Sequence, residues 1–299
     1  LLIKKNHDDF PYYHFAYTYN LTQESLNFGI GKFNHGFRTP SSIFYLNSLF
    51  YLPYGEYYLF NFSSVYILGF SNFILLKKIF HFETNKKKIS YINYLSLLSF
   101  IFINIFFYRI SEHGTDRSAQ ILIFLLFIFF FDLFNKKVEI SKNLFFIYVL
   151  FGLIISLKSF YFLYTLFFIP FFMYIYDKNK SFLTSVNIIF NNRYFYYLFF
   201  LVALILFSYF SNTGCLLYPV SFTCFENFAW SIPIDSVRSM NDWYELWSKA
   251  GATPNYRVEN PNEYISGLNW FNNWINNYFF NKVSDFLAGL IFILSILYL

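Results

Sequence analysis

Long apolar runs recur along this chain and limit its possible folds more than any other feature. A run of about 15–20 apolar residues is long enough for one helix to cross the hydrocarbon core of a bilayer. A transmembrane barrel would instead show short strands that alternate apolar and polar residues, and the sequence lacks this pattern. Because only 13% of the residues are charged and 57% are hydrophobic, the sequence predicts an all-α, polytopic transmembrane helical bundle. The predicted spans are 59–76, 91–108, 119–134, 144–157, 160–176, 194–210 and 285–299.

The lysines and arginines of the short connections are unevenly distributed between the two sides of the predicted bundle. Eleven of them fall on one side, whereas the other side has only Arg109, Arg117 and Lys158. Because cytoplasmic loops carry the excess of positive charge, the second side is predicted to face outward. The cations form no basic cluster in a polar context, so no nucleic-acid partner is expected. The predicted outer side comprises residues 1–42, 109–118, the turn at 158 and the loop 211–284.

The apolar stretch 144–176 admits two topologies, because each half is short for a span and Lys158 stands between the halves. One topology is a helical hairpin bent at Lys158-Ser159, and the other is a single long tilted helix. A lysine in the middle of a bilayer costs at least a few kcal/mol, whereas a lysine at an outer turn reaches water. The hairpin is therefore the preferred prediction.

Two further features concern the boundaries of the bundle. Residues 41–58 are apolar but interrupted by Pro53 and Gly55, and they predict an interfacial helix that starts at Thr39-Pro40-Ser41. The sequence begins without a methionine and ends within an apolar run. The chain is therefore expected to be a fragment that lacks at least one helix at each end.

The loop 211–284 is predicted to be an extracytoplasmic domain, with 1–210 and 285–299 forming the transmembrane domain. It contains both cysteines, and a Cys215–Cys224 disulfide is predicted because it would stabilise the loop by roughly 2–3 kcal/mol in an oxidising compartment. Two pairs of tryptophans are spaced i, i+4, so each pair shares a helix face. These faces could stack on sugars or form a membrane-interface belt, and the belt is preferred. The tryptophans are Trp230, Trp243, Trp247, Trp270 and Trp274.

Two adjacent carboxylates, Asp8 and Asp9, stand in an aromatic setting, His7-Asp8-Asp9-Phe10-Pro11-Tyr12-Tyr13-His14. A carboxylate beside a low-dielectric boundary has a raised pKa unless it is paired, which suits a general base or a metal ligand. His14 could add a hydrogen bond to a substrate. The alternative is a solvated start to a loop, or a helix N-cap with Asp9 preceding Pro11 in the first turn.

The connection 109–118 is the most polar short connection in the chain. Glu112 and Asp116 could complete a metal site, and Arg117 could bind the phosphate of a phosphate-linked sugar. The alternative is a polar cap, in which Glu112 pairs with Arg109 and Asp116 pairs with Arg117.

Two isolated cations are further candidates for binding an anionic substrate. Lys158 is expected to be unpaired between two apolar half-helices, which favours an anionic partner such as a lipid phosphate. The alternative is a lysine that reaches water from a helix end. Arg38, in Asn34-His35-Gly36-Phe37-Arg38-Thr39-Pro40, could hold a phosphate through two hydrogen bonds.

These motifs occur in an order that resembles the GT-C superfamily of membrane glycosyltransferases. The run Asp8-Asp9-x-x-Tyr12-Tyr13-x-x-Ala16, then Arg38-Thr39-Pro40-Ser41 and an apolar helix, is similar to their first outer loop. The segment 112–120 looks like their second acidic outer loop. The stretch from Gly152 to Lys158 resembles the hairpin motif of the aminoarabinose and mannosyl transferase branches. The resemblance covers roughly 7–176 and rests on short motifs, and the chain also resembles a poorly characterised group of bacterial membrane proteins.

The resemblance implies an inverting transferase in the bacterial plasma membrane, with its active site facing the periplasm or outside. It would move a sugar from a polyprenyl-phosphate donor to a glycan, lipid or protein acceptor, in contact with membrane lipid. By motif position, Asp8 or Asp9 would be the catalytic base, and Asp8 is preferred. A divalent metal ion, if bound, would be held by Asp9, Glu112 and Asp116. The substrate-binding candidates are Arg38, Arg117, Lys158 and His14.

The chain departs from the family pattern in ways that leave the metal and the base open. Asp9 stands where the family usually has Glu, and the paired cysteines are not a general family feature. An O-antigen polymerase or ligase is a rival function, although such proteins rely chiefly on Arg and His in late loops. A transporter or lipid flippase is another rival, but it would place ionisable groups or Gly and Pro breaks inside the spans.

Overall fold

The computed structural model of the chain describes residues 9–25, 27–80, 91–107, 114–134, 140–253, 255–283, 287, 290 and 291. These residues form a mostly helical protein, which confirms the all-α prediction. The helices are α1 Phe15–Gln23, α2 Ser42–Ser48, α3 Phe62–Phe80, α4 Tyr91–Phe106, α5 Gly114–Leu133, α6 Ile140–Leu157, α7 Phe168–Asn179, α8 Phe182–Phe190, α9 Arg193–Thr213, α10 Ile234–Ser248, α11 Pro261–Ile265 and α12 Phe271–Trp274.

Shorter elements connect these helices. β1 Ala252–Thr253 pairs antiparallel with β2 Tyr256–Arg257 in a small hairpin after α10. π-Helical turns span Phe10–His14 and Ile275–Val283. The 3₁₀ segments are Ile30–Lys32, His35–Arg38, Tyr57–Leu59, Ser159–Phe167 and Ser221–Thr223.

Three helical segments of the described chain are long and apolar enough to cross a membrane, namely Tyr57–Phe80, Ser159–Asn179 and Arg193–Thr213. Each of them contains one of the predicted spans. Two shorter apolar helices, Tyr91–Phe106 and Asn143–Leu157, coincide with two further predicted spans. The predicted span 119–134 lies almost wholly within α5, and 285–299 falls largely outside the described residues.

The chain divides into two compact units. The first unit comprises Leu1–Leu26 and Pro40–Ser208, and the second comprises Asn27–Thr39 and Tyr209–Leu299. The segment 27–39 therefore packs with the late part of the chain, although the sequence groups it with the rest of the first loop. The predicted transmembrane helices, apart from the last turn of α9 and the run at the chain end, belong to the first unit.

α5 is the central helix of the first unit, and most of its side chains are apolar and buried by neighbouring helices. Ile121, Leu125 and Ile128 are almost completely buried, and α5 packs most extensively against α6 and α3. At its C-terminal end, Asp132 forms an ion pair with Lys78 of α3. Lys78 belongs to the side that charge counting predicts to be cytoplasmic, and it marks one end of this bundle.

The chain reverses direction at Lys158. α6 ends at Leu157, Lys158 has an extended backbone (φ −150°, ψ 108°), and the 3₁₀ segment Ser159–Phe167 follows. The ring of Phe168 lies 5.7 Å from that of Tyr148 and 5.6 Å from that of Phe151, so the following segment runs back along α6. The hairpin prediction is confirmed, and the alternative of one long helix is wrong.

The interfacial helix predicted for 41–58 is much shorter than expected. Ser41 caps α2 as predicted, with its hydroxyl accepting a hydrogen bond from the N–H of Ile43 (3.4 Å), but α2 already ends at Ser48. The residues that follow form turns, in which Tyr54 and Glu56 have positive φ. Proline and glycine in this stretch favour turns over a continued helix, which explains why the prediction of its end is wrong.

Two asparagines join α3 to α4 through their side-chain amides. Asn72 Nδ2 donates to Asn104 Oδ1 (3.0 Å), and Asn104 Nδ2 donates in return to Asn72 Oδ1 (2.9 Å). Reciprocal amide bonds of this kind hold neighbouring helices together where lipid offers no hydrogen-bond partners. The pair therefore fixes the register of these two helices.

Replacement of one asparagine is expected to destabilise the first unit. Asn72→Leu should lower the free energy of unfolding by about 1 kcal/mol, because the amide of Asn104 loses its partner across the interface. Thermal unfolding of the purified chain in detergent measures this change. The double variant Asn72→Leu/Asn104→Leu is the control and should be less destabilised than the sum of the two single variants. Additive single effects would contradict a direct coupling between the amides.

Candidate functional site

Three of the predicted site residues come together at the end of the first unit opposite to Lys78. Lys158 Nζ lies 2.7 Å from Asp116 Oδ1, and Arg117 follows Asp116 in the first turn of α5. Both charged side chains of the ion pair are 48% exposed. The sequence predicts that Lys158 is unpaired, and the ion pair with Asp116 shows that this prediction is wrong. The alternative interpretation of Asp116 as one member of an ion pair holds in part, because it forms an ion pair with Lys158.

The local sequence explains why these charges meet. Asp116 stands in the first turn of α5, where the positive end of the helix dipole stabilises a carboxylate. Lys158 stands at the break after α6, and its extended backbone directs the chain away from the helix axis. Because α5 and α6 pack side by side, the start of one and the end of the other place the two charges in contact.

Arg117 is held against the bundle by an aromatic ring and an amide. Its guanidinium carbon lies 4.8 Å from the centroid of the Phe107 ring, in a cation–π arrangement. Its Nη1 donates to Gln120 Oε1 (2.7 Å), one turn further along α5. These contacts fix the orientation of the guanidinium beside the ion pair.

The Thr39-Pro40-Ser41 motif contacts the same end of the bundle. Ser41 Oγ donates to the carbonyl oxygen of Leu157 (2.7 Å), the residue immediately before Lys158. The hydroxyl oxygens of Ser42 and Ser156 lie 2.9 Å apart. The start of α2 is thus attached to the end of α6, so the proline-led motif and the lysine hairpin are neighbours in the fold.

Asp9 and His14 flank the first helical turn of the described chain. Asp9 occupies the N-cap position of Phe10–His14, with Pro11 in the first turn, although its side chain makes no capping hydrogen bond. The ring of His14 lies 5.1 Å from that of Phe44 in α2. The turn Phe10–His14 therefore packs on α2, whose start is bonded to the end of α6. Asp8 lies outside the described residues.

The predicted metal site is tested only in part. Glu112 lies outside the described residues, and among those described no group of three or more His, Cys, Asp or Glu side chains could hold a metal ion. Asp116 instead has Lys158 as its charged partner. The described donor set therefore does not fit a metal ion, and metal ligation by Asp9, Glu112 and Asp116 stays a prediction.

Arg38 belongs to the second unit, where it fastens the segment 27–39. Its Nε donates to the carbonyl oxygen of Gly31 (2.9 Å), and its Nη1 donates to Tyr218 Oη (3.2 Å). Burial raises the pKa of the Tyr218 phenol, and the hydrogen bond from Arg38 opposes this rise. The phenol therefore stays protonated at neutral pH, and Arg38 supports the fold of this unit.

Close backbone approach holds the segment 27–39 against the end of α9. A side chain at Gly31 would place its Cβ 2.7 Å from the carbonyl oxygen of Asn212, so only glycine fits there. Asn212 Nδ2 donates to the carbonyl oxygen of Phe37 (2.9 Å). Nearby, the predicted disulfide Cys215–Cys224 is present, with an S–S distance of 2.07 Å.

His35 is a half-buried titratable residue to which the sequence analysis assigns no role. Its Nε2 lies 3.1 Å from Met240 Sδ on α10, and its ring is close to those of Trp243 and Tyr244. Burial lowers the pKa of His35 below its usual value of 6.5, and the charge of Arg38 lowers it further. No local motif could have indicated this packing, because its partners on α10 are about 200 positions away.

Acidification is expected to destabilise the second unit through His35. In the pH window between its lowered folded pKa and 6.5, the unfolded chain binds more protons than the folded chain, so the free energy of unfolding falls as the pH drops through this window. His35→Gln should weaken this pH dependence. Thermal unfolding followed by tryptophan fluorescence measures it, because all five tryptophans belong to the second unit.

His14→Gln, in the first unit, is the matched control for this titration. It should leave the fluorescence-detected pH dependence unchanged. The assignment would be contradicted if the unfolding temperature of His35→Gln changed with pH as steeply as that of the unaltered chain.

Comparison with known proteins identifies a protein family. The model of a protein family described as "Domain of unknown function (DUF8201)" matches residues 13–299, nearly the whole chain. No curated protein and no solved structure matches the chain.

Proposed function

The chain belongs to the DUF8201 family, and we propose that it is a membrane glycosyltransferase of the GT-C type. It would transfer a sugar from a polyprenyl-phosphate donor to a glycan, lipid or protein acceptor at the extracytoplasmic face of the bacterial plasma membrane. The observation that carries this proposal is the meeting of Asp116, Arg117 and Lys158 with the proline-led segment at one end of the first unit.

The two neighbouring cations, Lys158 and Arg117, suit the phosphate of a lipid-linked donor. The Lys158–Asp116 ion pair is half exposed, and exposed pairs contribute little free energy. Lys158 can therefore exchange its carboxylate partner for a phosphate at small cost. Arg117 is already oriented by its contacts with Phe107 and Gln120, and a fixed guanidinium matches the geometry of phosphate oxygens.

The charge that develops during transfer favours the same arrangement. The acceptor hydroxyl gives its proton to Asp8 or Asp9 and attacks the anomeric carbon, while the bond from that carbon to the phosphate oxygen breaks. The donor phosphate diester has one negative charge, and the polyprenyl phosphate that leaves has two. Cations already in place at the phosphate stabilise this additional charge in the transition state. No step in this scheme depends on a metal ion.

The catalytic base is testable in the full chain. Asp8→Asn or Asp9→Asn should reduce sugar transfer at least about a hundredfold, because a general base contributes about 10²–10⁴ to the rate. Incorporation of sugar from donor lipid into envelope glycan, in cells that express the variant, measures the loss. Asp177→Asn, an exposed carboxylate near the end of α7, is the control. Wild-type transfer by both variants, each folded in the membrane, would refute the assignment.

The donor-binding role of Lys158 has a matched control at the other end of the same span. Lys158→Gln should weaken the binding of undecaprenyl phosphate by about tenfold or more, since it removes a charge-assisted hydrogen bond to phosphate. Lys180 also forms an ion pair with an aspartate, at the end of α7. Lys180→Gln should leave binding unchanged. Equal binding by both variants, measured by native mass spectrometry in nanodiscs, would count against a phosphate site at Lys158.

A further inference from the structure

The disulfide loop of the second unit exposes large apolar side chains immediately after a candidate membrane span. Phe222 is 90% exposed, and it lies in the loop closed by Cys215 and Cys224. Leu216, Phe225 and Phe228 add further exposed apolar surface. No charged residue occurs between Arg193 and Glu226 in the sequence. The loop 215–224 itself contains no charged side chain, and the first one that follows is Glu226. A cluster of exposed apolar side chains of this kind marks an interaction surface.

The loop is built so that Phe222 is held outward. The disulfide closes the loop, and the N–H of Leu216 donates to the carbonyl oxygen of Thr223 (3.0 Å) beside it. The hydroxyl of Thr223 donates to the carbonyl oxygen of Val220 (2.8 Å) and accepts from the N–H of Leu217 (3.1 Å). Phe222 therefore projects from a cross-linked, hydrogen-bonded turn, and its exposure is a property of the fold.

Several backbone N–H groups of this loop donate hydrogen bonds within the loop itself. The N–H groups of Val220, Thr223 and Cys224 donate to carbonyl oxygens of Leu217, Val220 and Ser221, respectively. Backbone can enter an apolar phase only where its polar groups are paired internally. These internal bonds reduce the number of backbone groups that would lose hydration, and the loop 215–224 has no side-chain charge that would have to lose its hydration.

The loop is also joined directly to the end of the candidate span Arg193–Thr213. The N–H of Cys215 donates to Thr213 Oγ1 (3.1 Å). Phe210, in the last turn of α9, packs against Phe225 and Phe228, with ring centroids 5.9 and 5.4 Å apart. The exposed apolar surface of the loop is thus continuous with the apolar helix that would leave the membrane at this point.

We propose that this loop inserts Phe222 into the interfacial region of the phospholipid bilayer. It would anchor the second unit to the membrane surface beside the end of α9. A protein partner is a less suitable occupant, because the exposed apolar surface continues from a helix that is apolar enough to span a membrane. The anchoring is independent of the transferase chemistry, so each can fail without the other.

Site-directed spin labelling tests this insertion in the full chain. Both cysteines of the sequence form the disulfide, so Phe222→Cys introduces a single thiol for a nitroxide label under non-reducing conditions. In liposomes of phosphatidylethanolamine and phosphatidylglycerol, power saturation compares accessibility to oxygen with accessibility to a water-soluble nickel chelate. The ratio of oxygen to nickel accessibility should exceed one at position 222.

Two further labelling sites keep the test decisive. Ser239→Cys, on the exposed face of α10 in the same unit, should give a ratio below one. Leu216→Cys retains Phe222 and should give a ratio above one even if the label at 222 weakens insertion. Nickel accessibility at 216 and 222 equal to that at 239 would place the loop in water, and low accessibility to both reagents would place it against protein. Either result overturns the proposal.

Discussion

The first unit is organised around one charge that cannot remain within an apolar segment. Lys158 interrupts a stretch that is otherwise apolar, and α6 ends immediately before it, because an unpaired ammonium in apolar surroundings is costly. The reversal allows the following segment to pack back on α6 through Phe168. It also brings Lys158 to Asp116 at the start of α5 and places the end of α6 where Ser41 can bond to it. The hairpin, the ion pair and the attachment of α2 follow from the placement of this charge.

The second unit is organised by a different constraint, the close approach of two chain segments that are far apart in sequence. Gly31 leaves room for the carbonyl oxygen of Asn212, and Arg38 and His35 then reach Tyr218 and α10. Arg38 accordingly has a structural role in this unit, which separates it from the cations proposed to hold the donor phosphate. The Cys215–Cys224 loop extends the same unit with an uncharged, apolar tip.

The sequence predicts the residues of the candidate site better than it predicts which of their side chains contact one another. The polar connection before α5 and the lysine turn were identified because charged residues are rare in this chain. Their direct pairing is not predicted from sequence, where the two interpretations of Asp116 are a metal ligand and a pair with its neighbour Arg117. A lysine 42 positions away becomes the partner only when α5 and α6 pack together. His35 was missed for the same reason, since its environment is supplied by α10.

The sequence by itself determined the helical class, the approximate positions of three helices apolar enough to span a membrane, the reversal at Lys158 and the cysteine pairing. These features depend on apolar length, on the cost of an isolated charge and on two cysteines close together in the chain. Only the tertiary structure decided that Asp116 pairs with Lys158 and that residues 27–39 pack with the late part of the chain. Each of these depends on contacts between distant segments, which local composition and periodicity do not encode.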